Sequence, residues 1–90
     1  MDEVGRDPIG SRIHYDGHTF VAEPEMAEIF IKRATQIVEV DAAELVTLRH
    51  VGGIEMLLIS RGIPLFVDEI IPEDGEDVAQ LRERFGLEKR

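Results

Sequence analysis

Two glycine-centred breaks, Gly52-Gly53 and Ser60-Arg61-Gly62, cut the stretch from Leu45 to Ile71 into three short runs rich in Val, Ile, Leu and Phe. Short alternating runs bounded by Gly read as strands joined by tight turns. A two-residue Gly-Gly loop fits a type I′ turn, whose central residues both need positive φ. It pairs Val51 with Ile54, Leu48 with Leu57 and Val46 with Ile59. At the second break, a two-residue Arg61-Gly62 loop would force Arg61 to positive φ, which is unfavourable. A three-residue loop, Ser60-Arg61-Gly62, puts only Gly62 there and closes with a bulge. Ile63 then lies opposite Ile59, and Leu65 opposite Leu57. The expected unit is a three-stranded antiparallel meander. One face holds Val46, Leu48, Leu57, Ile59, Ile63, Leu65 and Val67, with His50 and Glu55 paired at its rim. Pro64 lacks an N–H, so the third strand belongs at an edge.

Upstream, Arg12 to Tyr15 and His18 to Ala22 flank Asp16-Gly17, a strong hairpin signal. The register sets Tyr15 against His18, His14 against Thr19 and Ile13 against Phe20. Pro24 suits a first helical turn. Met26, Ile29, Phe30, Ala34, Ile37 and Val38 recur at helical spacing, predicting a helix from Pro24 to about Val38. After Pro72 a short helix is expected over Glu76 to Phe85, with Asp74 as its cap and Gly86 as its stop. The reading is an α+β fold in ββαβββα order, the meander packed on the first helix. One domain spans residues 12–86, between an N-terminal tail, 1–11, and a C-terminal tail, 87–90.

Hydrophobic residues make up 43% of the ninety, enough for one core. The chain has no Cys, which excludes disulfides, thiolate metal sites and a Cys nucleophile. Nineteen acids against ten bases give a net charge of −9. Phosphate backbones are bound by clustered Lys and Arg, and here only Lys32-Arg33 and Lys89-Arg90 are adjacent. Direct nucleic-acid binding and attachment to anionic membranes are therefore not expected. The longest apolar run, Met56 to Ile59, falls far short of the ~20 residues of a spanning helix. Met1-Asp2-Glu3-Val4-Gly5 lacks the basic and apolar regions of a signal peptide. A cytoplasmic protein is expected.

No residue set carries a catalytic, cofactor or metal signature. His14, Asp16 and His18 are metal-ligand types, but strand alternation sends the two histidines to opposite faces, so only His14 and Asp16 can share one. Ser60 sits in Ile-Ser-Arg-Gly, which is not a nucleophile elbow. Gly52-Gly53 joins two strands with no helix or Lys after it, so it is not a phosphate loop. The acids Asp68, Glu69, Glu73, Asp74, Glu76 and Asp77 lack the spacing of a calcium loop; they read as a strand end and an acidic helix start.

The second face of the meander carries more information. Val51, Ile54, Met56, Leu58 and Phe66 lie on it, where a solvated face should alternate to polar. Something should cover these side chains. The candidates are the last helix, the N-terminal hairpin, or a partner protein. The leading expectation is a non-enzymatic interaction or accessory module that self-associates there, as a homodimer or other homo-oligomer. A second is an acidic inhibitor or mimic that meets the basic surface of a nucleic-acid-associated protein through the acids of 68–77. A third is a small-ligand binder or enzyme using His14 with Asp16, or His50 with Glu55.

The helix, three strands and helix follow the order of double-stranded RNA-binding domains. Where that family has a basic helix start, this chain has Glu76-Asp77, so RNA binding is not implied. The chain also resembles short uncharacterised proteins of actinobacteria and their phages. These share an N-terminal Asp-Gly hairpin, one helix and a stretch like Gly52-Gly53-Ile54-Glu55-Met56-Leu57-Leu58-Ile59-Ser60-Arg61-Gly62-Ile63-Pro64-Leu65. The shared positions are turn glycines and core strands, and the resemblance implies no functional residues.

Overall fold

In the computed structural model, which describes residues 7–87, Asp16 and Gly17 take φ of 46° and 88°. These values suit the tight turn that Asp-Gly signals. The turn joins β1 (Gly10–Tyr15) to β2 (His18–Ala22) in the expected register, Ile13 opposite Phe20 and Tyr15 opposite His18. The strand begins within the expected tail: Ile9, Gly10 and Ser11 are buried. Ile9 packs with Ile70, Leu81 and Leu87 in a small second cluster, so Leu87 also belongs to the fold rather than to a tail. The remaining tail positions, 1–6 and 88–90, lie outside the described residues.

The first helix, α1 (Pro24–Glu39), carries Pro at its start and Glu25 in its first turn. Both suit a helix N-terminus. Ala27, Phe30, Ala34 and Ile37 form its buried stripe. Ile29, which spacing alone put on that stripe, is exposed. The helix ends without Gly; Asp41 takes φ of 58° instead, a conformation short polar side chains tolerate. The stripe packs on Ile13, Ala22, Val46, Leu48, Leu57 and Ile59 to make the main core.

β3 (Glu44–His50) and β4 (Gly53–Ile59) form a hairpin, but its register differs from the Gly-Gly expectation by two residues. His50 faces Gly53, Leu48 faces Glu55 and Val46 faces Leu57. The turn residues are Val51 and Gly52, with Gly53 at φ of 132°. Two contacts account for the difference. The Val51 N–H donates to the Val21 carbonyl at 2.8 Å, and the Gly52 N–H donates to His50 Nδ1 at 3.0 Å. The first draws the turn onto a strand that local turn preference does not sense, and the second is a side-chain bond within the turn that fixes it. A shift of two preserves side-chain parity, so Val46, Leu48, Leu57 and Ile59 still face inward and are buried.

The third strand departs from expectation more strongly. β5 (Leu65–Ile70) does not pair with β4; it pairs antiparallel with β1, from Tyr15 opposite Leu65 to Gly10 opposite Ile70. The meander is thus replaced by a three-stranded sheet, β2-β1-β5, beside the two-stranded β3-β4. The Ser60–Pro64 segment turns through the Ile63 N–H to Ser60 carbonyl bond, and Gly62 stays out of the left-handed region. The Asp16 N–H then takes the Pro64 carbonyl at 3.0 Å, handing the chain to β1. β1 offers a free edge of full length, whereas the Tyr15 hydroxyl reaches the Leu58 carbonyl of β4 at 2.9 Å and bridges the two sheets. β5 is an edge strand; Pro64 stands just before it, opposite Asp16, and its missing N–H ends the ladder with β1 there. Leu65 and Val67 keep their inward direction and pack against the main core.

Asp77, not Asp74, caps α2 (Val78–Phe85), accepting the Ala79 N–H at 3.0 Å. Gly86 closes the helix at φ of 78°. The helix lies on the outer side of β2-β1-β5, with Leu81 and Phe85 against Ile9, Ile70 and Val21. Arg82 clasps Glu23 at 3.2 Å, and Arg12 stands 5.4 Å over the Phe85 ring. α2 therefore covers one end of this sheet and leaves the outer face of β3-β4 open.

Candidate interaction surfaces

Strand alternation points Leu45, Thr47 and Arg49 of β3, and Ile54, Met56 and Leu58 of β4, away from the core. Leu45 faces Leu58, Thr47 faces Met56 and Arg49 faces Ile54. The apolar members are well exposed: Leu45 and Ile54 61%, Met56 56%, Leu58 42%. The Thr47 hydroxyl donates to Met56 Sδ at 3.1 Å, which takes up the one hydroxyl on the face. Arg49 is its only charged residue, in a chain with nineteen acids. Leu45 shares the parity of Thr47 and Arg49, so the alternation already contained it, although it was not among the expected face residues.

Two residues expected on this face lie elsewhere. Phe66 sits in the other sheet because β5 pairs with β1, and its ring stacks on His14 with centroids 4.4 Å apart. Val51 is in the hairpin turn, next to Gly86 at the end of α2. The face is consequently a hairpin surface of four apolar residues rather than a meander surface of five.

Of the two expected histidine–acid pairs, His14 with Asp16 does not form, whereas His50 with Glu55 does. Asp16 remains in its turn, while His14 Nε2 lies 3.5 Å from Asp68 Oδ1 and Nδ1 lies 3.2 Å from the Thr19 hydroxyl. His14, Asp68 and Thr19 come together only through the β1–β5 and β1–β2 pairings, so sequence reasoning had no local signal for them. His50 and Glu55 approach within 3.7 Å, across the turn rather than as direct partners. The His50 ring is largely covered and packs on Phe20 at 4.8 Å. Among the described residues, no group of three or more His, Asp or Glu could hold a metal ion.

The acidic stretch is partly committed to local structure. Asp68 meets Arg12 at 3.7 Å as well as His14. The Glu76 carboxylate accepts the Glu73 N–H at 2.8 Å, and Asp77 caps α2. Glu69 lies on the inward parity of β5, apart from the rest.

A trough runs between α1 and the open edge of β5. It consists of two adjoining cavities of about 620 and 840 Å³, both bordered by Ile31 and Val67. Ala34, Val38, Ile63 and Leu65 line one half; Ala27, Glu28, Lys32 and Glu69 line the other.

Comparison with models of protein families, with curated proteins and with solved structures finds no match to this chain. Among the described residues, no helix is long and apolar enough to cross a membrane.

Proposed function

We propose that this protein is a small non-enzymatic interaction module that joins a second copy of itself through the outer face of the β3-β4 hairpin. One observation carries the reading: Leu45, Ile54, Met56 and Leu58 form an exposed apolar surface on two paired strands, with no carboxylate among them. Burying a large apolar side chain fully is worth about 1.5–3 kcal/mol. These four are already about half covered, 42–61% exposed, so the four from each copy offset an association cost in the lower part of the roughly 4–15 kcal/mol range. The chain suits a reducing, cytoplasmic setting, since it has no Cys to oxidise.

Sedimentation at micromolar concentration tests this reading. The wild type should associate, and Met56→Glu should be monomeric without loss of fold, because Met56 is exposed. Added salt should tighten the wild-type association by screening the repulsion between two chains of charge −9. A wild type that stays monomeric up to roughly 1 mM, where even a −4 kcal/mol association would register, would sink the proposal. Partner binding that weakens steeply with salt would instead favour the acidic surface of residues 68–77.

A further inference from the structure

The backbone of β5 is half unused. The Asp16 N–H bonds the Pro64 carbonyl, and in an antiparallel ladder the bonded residues recur at every second position. Phe66, Asp68 and Ile70 therefore aim their backbone groups at β1, whereas Leu65, Val67 and Glu69 aim theirs at the open edge. Among the described residues, nothing hydrogen-bonds those edge groups. The side chains of the same three residues point inward, along the trough beneath α1.

From this we infer that β5 accepts an extended peptide of a partner protein as an added antiparallel strand, with the trough receiving its alternate side chains. Strand addition takes its affinity from main-chain bonds and its specificity from pockets for every second residue. The trough sets that specificity. Peptide residues opposite Val67 and Leu65 meet Ile31, Ala34, Val38 and Ile63, so they are apolar. The residue opposite Glu69 meets a carboxylate. Glu28 and Lys32 stand four apart on α1, where they can neutralise each other, which leaves Glu69 to select a Lys or Arg. Read from its N-terminus, the ligand has a basic residue, then apolar residues two and four positions later. A second copy fits the edge less well. Pairing β5 with itself about Val67 would set each Glu69 against the partner's Leu65, and both chains carry −9.

The test uses the full chain and two labelled peptides, Ser-Lys-Thr-Ile-Thr-Val-Ser and its Lys→Glu counterpart. Fluorescence anisotropy should show the Lys peptide bound about tenfold more tightly, a difference of ~1.4 kcal/mol. Glu69→Lys should reverse the preference, an outcome that a purely structural role for Glu69 would not give. Val67→Pro removes an edge-facing N–H and no bond to β1, and should abolish binding of both peptides. Amide exchange should show Leu65, Val67 and Glu69 gaining protection only with peptide, while Phe66, Asp68 and Ile70 are protected throughout. Three results would overturn the inference: no binding at millimolar peptide, binding indifferent to both substitutions, or edge amides already protected without peptide. In the last case, protection that grows with protein concentration would assign the edge to a second copy, and constant protection would assign it to another segment of this chain. The β3-β4 face is a separate surface, so Met56→Glu should leave peptide binding intact and the two proposals fail independently.

Discussion

A Cβ added at Gly10 would stand 3.0 Å from the Ala22 carbonyl oxygen and 3.0 Å from Leu87 Cδ1. Leu87 can shift, but Ala22 is backbone in a paired strand. Gly10→Ala should therefore destabilise the fold by roughly 1–3 kcal/mol, the usual cost of overpacking. Gly62→Ala makes a control: it has open space around it and no positive φ. Its urea midpoint should stay at or slightly above the wild type's. Equal midpoints for the two variants would show that Gly10 is not held by close approach. At this scale the sequence was legible wherever periodicity alone decides. Phe30, Ile37, Leu48 and Ile59 were all on expected inward faces, and all are fully buried. Gly10 was not legible, because its constraint comes from Ala22 on the neighbouring strand and from Leu87, far along the sequence. The same holds for His14 and Asp68, whose meeting depends on which strands pair.

Elements built from local rules formed as expected: the Asp-Gly hairpin, the helix behind Pro24 and the stop at Gly86. Strand partnership was not legible in the same way. A period of two says which side chains face inward but not which neighbour the backbone joins, so β4 and β1 were equally good partners for β5 by pattern. The start of α2 was misplaced for a related reason. Asp74 and Asp77 are both good caps, but Gly75 at φ of 84° bends the chain between them and delays the helix. Asp77→Ala should cost α2 about 1 kcal/mol. Native-state amide exchange should show that loss as faster opening of Val78–Phe85, while β1 keeps its protection. If β1 and α2 lost protection together, α2 would be part of the global unfolding unit rather than a locally opening one. The trough beside β5 follows from the same unpredicted pairing. Glu69 stands towards one end of its open edge, where a charge discourages pairing with a long strand.

For the molecule as a whole, the pairing of β1 with β5 joins the beginning of the fold to its end. β3, β4 and α1 lie entirely between them in sequence, and their contacts close short loops. Short loops cost less entropy than long ones, and contacts of low sequence separation form faster. Leu57→Ala and Val46→Ala, in the hairpin packed on α1, should slow refolding, whereas Val67→Ala should chiefly speed unfolding. Stopped-flow rates would decide, and the opposite assignment would place the nucleus in the β1–β5 ladder. During synthesis, β1 and β2 leave the ribosome before the other described elements, yet β1 remains an edge strand until residues 65–70 emerge. The first strand of the described fold thus waits for its last strand, and a nascent chain stalled before β5 would present that vacant edge of β1 to whatever strand it met.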